Sequence, residues 1–88
     1  MRHARPEDLD RIEPLLAQVR ALGVLKEKSR GCFYLKSKGF LHFHEDPKGM
    51  FADIGGGDGK GFERVQIDDP AGAAAVLARC AALANQTQ

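Results

Sequence analysis

The chain has 88 residues, of which 43% are hydrophobic and 28% charged, with a formal net charge of +1. This length supports one folded unit around one modest core, and the near-zero charge excludes a polyanion partner held by whole-molecule electrostatics. No apolar run approaches the roughly 18 residues of a membrane span, and the start Met1-Arg2-His3-Ala4-Arg5-Pro6 has no leader-like apolar stretch. The expectation is therefore a cytoplasmic protein whose two cysteines, Cys32 and Cys80, are free thiols.

Helical periodicity opens the chain. Leu9, Ile12, Leu16, Val19 and Leu22 recur at steps of three and four and form one apolar stripe. Pro6 suits a first helical turn, Glu7, Asp8 and Asp10 favour its positive end, and Gly23 is a natural stop. Pro14 lacks a donor and crowds the carbonyl of Asp10. Either the helix kinks there, or a short turn at 6–12 precedes a helix from about residue 13 to 22. Arg20, Lys26, Lys28, Arg30, Lys36 and Lys38 then face only Glu27 in the segment 20–38, a local cationic excess read as solvated side chains around a loop and a hairpin.

Four short strands are expected next: Cys32–Lys36, Phe40–Glu45, Met50–Ile54 and Phe62–Ile67, rich in β-formers. Ser37-Lys38-Gly39, Asp46-Pro47-Lys48-Gly49 and the Gly55–Gly61 loop supply the connections. That glycine loop resembles a phosphate cradle only in composition, because a strand follows it where a cradle needs a helix N-terminus. Asp69 is the expected cap of a last helix, with Pro70 its first residue. Ala73, Val76, Leu77, Cys80, Ala81, Leu83 and Ala84 are its inward face, and 85–88 a polar frayed tail. Residues 1–88 thus read as a single α+β domain, a two-layer sandwich in the order α-β-β-β-β-α. Its four-stranded antiparallel meander carries both helices on one face.

Loop lengths set a register. A three-residue loop at 37–39 places Leu35 opposite Leu41 and Phe33 opposite Phe43. A four-residue loop at 46–49 places Leu41 opposite Ile54, Phe43 opposite Ala52 and Glu45 opposite Met50. One face then holds Phe33, Leu35, Leu41, Phe43, Met50, Ala52, Ile54, Val65 and Ile67. The other, with no helix left to cover it, presents Tyr34, Phe40, His42, His44, Phe51, Asp53, Phe62 and Arg64, with Cys32 opposite His44. So much aromatic surface on an open face points to a partner. The expected partner is a second copy of the chain, giving a homodimer.

Two other uses of that face follow from its residues. His42 and His44 are two apart on one strand and share a face; with Asp53 or Cys32 across the ladder they could make a three-ligand site, and His42, His44 and Asp53 are the candidate divalent-metal site, zinc foremost. Tyr34, Phe40 and Phe51 could stack bases, with Lys36, Lys38 and Arg64 around them, but no RNP motif is present and the charge is poor for phosphate. Nucleic acid is therefore not the expected partner, and no small-molecule ligand is indicated. Ser29 and Ser37 lie at turns without a His or acid at a recognised spacing. A Cys32–His44 pair on an open sheet would lack oxyanion donors. No catalytic residue is assigned.

The run Phe33-Tyr34-Leu35-Lys36-Ser37-Lys38-Gly39-Phe40-Leu41-His42-Phe43-His44-Glu45-Asp46-Pro47 resembles a string in small uncharacterised bacterial proteins. The hairpin with a basic turn followed by a Phe-rich strand is similar, as a pattern, to the MmcQ/YjbR family. That resemblance implies an α+β fold and a DNA-binding label. The glycine-rich loop and short C-terminal half depart from the family, so no functional residue carries over.

Overall fold

The computed structural model describes residues 2–55 and 61–86; the centre of the Gly55–Gly61 loop and the last two tail residues lie outside them. The described chain is mixed helix and strand. β1 (Arg2–His3) leads into α1 (Pro6–Arg11) and α2 (Glu13–Leu22). Then come β2 (Lys26–Ser29), β3 (Cys32–Leu35), β4 (Lys38–Asp46), β5 (Gly49–Gly55) and β6 (Phe62–Gln66), and α3 (Pro70–Gln86) closes the chain. The strands form one antiparallel sheet in the order β2-β3-β4-β5-β6, with β1 also on β4.

Two strands beyond the expected four are present. β2 is Lys-Glu-Lys-Ser, with no apolar alternation, because it is an edge strand and its lysines blunt the open edge. β1 has only two residues, too few for any periodicity. It is held from outside: Arg2 Nη1 donates to Asp8 Oδ2 at 3.0 Å and Arg2 Nε meets Glu45 at 3.2 Å, while Ala4 N donates to Phe43 O at 3.1 Å. Asp8, 4% exposed, also accepts from Arg5 N at 3.0 Å and Arg11 Nη2 at 2.9 Å. Its carboxyl is held below the usual range, first by the Arg5 N–H and then by the arginines, against the cost of burial.

The helical stripe breaks at Ile12 (φ −112°, ψ 16°), so the second of the two readings of Pro14 holds: Pro14 sits in the first turn of α2, where its missing donor costs nothing. Gly23, at φ 71°, ends that helix in the left-handed region. In α3, Gly72 N donates to Asp69 Oδ1 at 2.7 Å, the expected cap. A Cβ at Gly72 would lie 1.9 Å from Gln66 O, so the lack of a side chain lets α3 close onto β6. The helix runs on through Asn85 and Gln86, beyond the expected start of the frayed tail.

The β4–β5 register agrees with expectation: Leu41 opposes Ile54, Phe43 opposes Ala52 and Glu45 opposes Met50. The β3–β4 register does not. The turn is the two-residue pair Lys36-Ser37, both at positive φ (51° and 74°), so Leu35 opposes Lys38. This is the twist-matched hairpin geometry, built without the usual Asn-Gly. A bulge then shifts the ladder, because Tyr34 pairs Gly39 while Phe33 pairs Leu41, leaving Phe40 as the extra residue. The bulge restores the face alternation that a two-residue turn alone would have broken. Phe33, Leu41 and Ile54 are therefore almost wholly buried, against Leu16, Val19, Val76 and Cys80 from the helices. Burial pushes the Cys80 thiol up to about 11, and both cysteines are free.

Candidate functional site

The sheet face away from the core is less open than its composition implies. Phe40, expected there as an exposed aromatic, is only 5% exposed and belongs to the core cluster, because the bulge displaces it from the regular ladder. Phe51 is half-buried, and Lys28 Nζ lies 4.5 Å from the centroid of the Tyr34 ring. Phe62 remains 52% exposed. The cationic run is also partly neutralised in place. Arg20 binds Glu13 (2.6 Å) and Glu27 (2.6 Å), and Arg30 binds Asp10 and Glu13, each at 2.8 Å. Their hydrogen bonds hold the Glu13 and Glu27 carboxyls below the usual range.

On this face the ladder places His42 opposite Asp53 and His44 opposite Phe51. Strand periodicity brings His42 and His44 together, with ring centroids 5.1 Å apart and nearly perpendicular. The pairing of β1 with β4 adds a third imidazole: His3 opposes His44 directly, with centroids 4.5 Å apart, and lies 6.0 Å from His42. One ligand nitrogen from each of the three rings falls within 4.8 Å of the others, and this is the one such donor cluster among the described residues. The chain contains three histidines in all, and every one is here.

Asp53 does not join that cluster. Arg64 engages it side-on, with Nε to Oδ1 at 2.8 Å and Nη2 to Oδ2 at 3.0 Å. The guanidinium pairing holds the 6%-exposed carboxylate in its charged form, well below the usual range, and outweighs desolvation. His44 Nδ1 stands 3.2 Å from Asp53 Oδ2. That contact is electrostatic only, because its alignment does not make a hydrogen bond and His44 Nδ1 has no hydrogen-bond partner. His42 Nδ1 is likewise buried and unpaired, and its ring meets Phe62 edge-on at 4.9 Å. Desolvation lowers the pKa of both rings, opposed by Asp53 and reinforced by His3 and Arg64. The neutral imidazole is thus favoured, which is the form a metal ion requires.

Beside the cluster, where β3 and β1 meet the same edge of β4, lies a cavity of about 140 Å³ lined by His3, Cys32, Phe33, Tyr34, Gly39, Leu41 and His42. Cys32, expected opposite His44, is here instead because of the shifted β3–β4 register. Sequence reasoning found His42, His44, Asp53 and Arg64 for this face and missed His3. The available signal was compositional: with so few histidines, the remaining one merited consideration as a ligand. No family model, curated protein or solved structure matches the chain.

Proposed function

We propose that the chain binds a divalent transition metal, zinc foremost, through His3, His42 and His44. The carrying observation is that all three histidines converge from two strands, with two ring nitrogens buried and unpaired. Buried polar atoms are ordinarily satisfied, so two buried imidazole nitrogens without a hydrogen-bond partner, on rings that meet a third imidazole, support a ligand role. Zinc–nitrogen bonds of about 2.0–2.1 Å set neighbouring ligand nitrogens about 3.4 Å apart. The donor atoms lie within 4.8 Å of one another, and His3 is exposed, so its ring has room to move closer to the other two. Asp53 acts behind the ligands, its negative charge beside His44 fixed by Arg64.

Cobalt(II) provides the test. A four-coordinate site gives an intense visible absorption on titration, and that band is expected in the wild type and absent in His42→Ala. A spectrum indistinguishable from aqueous cobalt refutes the reading. Self-association across the same face is a second reading, favoured by Phe62, 52% exposed at the edge strand β6. A dimer mass that reverts to monomer in Phe62→Ser supports it.

A further inference from the structure

We infer that the bound metal keeps one coordination position open toward the adjoining cavity, and that this position takes a small monocarboxylate. The inference rests on the metal reading above. Three histidines leave a tetrahedral ion one ligand short, and no fourth side-chain donor joins the cluster among the described residues. His3 and His42 line the cavity whereas His44 does not, so the cavity meets the cluster on the side away from His44. The opposite side is closed to an incoming ligand, because Asp53 lies there in its side-on pair with Arg64.

Charge selects the ligand's head. Three neutral imidazoles leave a divalent ion with its full charge, and the nearby carboxylate is already matched by a guanidinium. An anion is therefore favoured in the open position. Shape selects its body. Phe33, Tyr34 and Leu41 are among the residues that line the cavity and make its lining largely apolar. Its volume of about 140 Å³ is close to the ~150 Å³ of an apolar cavity that admits benzene. A carboxylate on a single ring or a short branched chain fits both requirements, and benzoate is the probe.

Gly39 offers a way to close the cavity without touching a histidine. It pairs with Tyr34 and lines the cavity, and a Cβ there would touch the Tyr34 ring at an ordinary contact distance of 3.9 Å. The cobalt-loaded protein is titrated with benzoate and, separately, with azide, a ligand small enough to need little of the cavity. Both are expected to shift the cobalt band of the wild type and to compete with each other. In Gly39→Leu the metal and azide responses should persist while benzoate affinity falls at least tenfold. A cobalt band that ignores both anions overturns the open position and leaves metal binding standing. Equal benzoate affinity in wild type and Gly39→Leu overturns the cavity as its seat. Absence of any cobalt band overturns the metal reading and this inference with it. Should Gly39→Leu fail to fold, acetate and 2-naphthoate decide the same question in the wild type: a seat in the cavity makes benzoate bind at least tenfold more tightly than either, and equal affinity for all three carboxylates overturns the cavity as the seat.

Discussion

Zinc is expected to raise the melting temperature of this chain sharply, through a residue that contributes little to stability without it. His3 is exposed and sits on a two-residue strand, so His3→Ala should melt close to the wild type in chelator. A ligand that binds only the folded state adds RT ln(1 + [L]/Kd), about 2.7 kcal/mol at a hundredfold excess of free zinc over Kd. Unfolding entropy of about 2.1 cal/mol/K per residue gives about 185 cal/mol/K for 88 residues. The wild type should therefore melt about 15 °C higher in zinc than in chelator. Disturbing even a metal's outer-shell partners weakens binding about 10–100-fold, and losing a direct ligand should cost no less than the upper figure. At the same free zinc, His3→Ala would then retain about 0.4 kcal/mol of the linkage term, an increase of about 2 °C. Differential scanning calorimetry at fixed free zinc measures both. A zinc response in His3→Ala equal to the wild type's would refute the role of β1, and a flat wild type would refute the site.

Other outcomes follow from the backbone, the core and the titrating groups. Lys36→Asn combined with Ser37→Gly supplies the residues that the positive-φ turn favours and should stabilise by about 1 kcal/mol in urea unfolding. Leu16→Ala removes a fully buried side chain between helix and sheet and should cost about 3 kcal/mol in the same assay. In chelator, stability should fall with acidification in two stages. His42 and His44 have folded pKa values below the usual 6.5, so the unfolded chain takes up protons first. Their contribution is full above pH 6.5 and is lost as pH falls from there through the folded values. The carboxyls of Asp8 and Asp53 are also depressed from 3.8. Their contribution is complete above the unfolded value and is lost as pH falls through the lower folded ones. A melting temperature constant between pH 7.5 and 5.5 would refute the first stage.

Much of the sheet was legible in the chain. The alternation of Leu41, Phe43, Ala52 and Ile54 determined the β4–β5 register, because a one-residue slip would have sent every side chain to the wrong face. That register put His42 and His44 on one face and Asp53 and Arg64 on the neighbouring strands. Asp69, Pro70 and Gly23 marked helix ends through local chemistry that needs no tertiary partner. Tertiary structure decided the rest. Lys36 and Ser37 carry no sequence preference for positive φ; the hairpin imposes it, and the bulge at Phe40 that reconciles a short turn with the core cannot be read from either strand alone. β1 lies on β4 where Arg2 pairs Glu45, a contact between residues far apart in the chain. Only through that contact does His3 reach His42 and His44, and a histidine cluster assembled across such a distance leaves no spacing in the sequence.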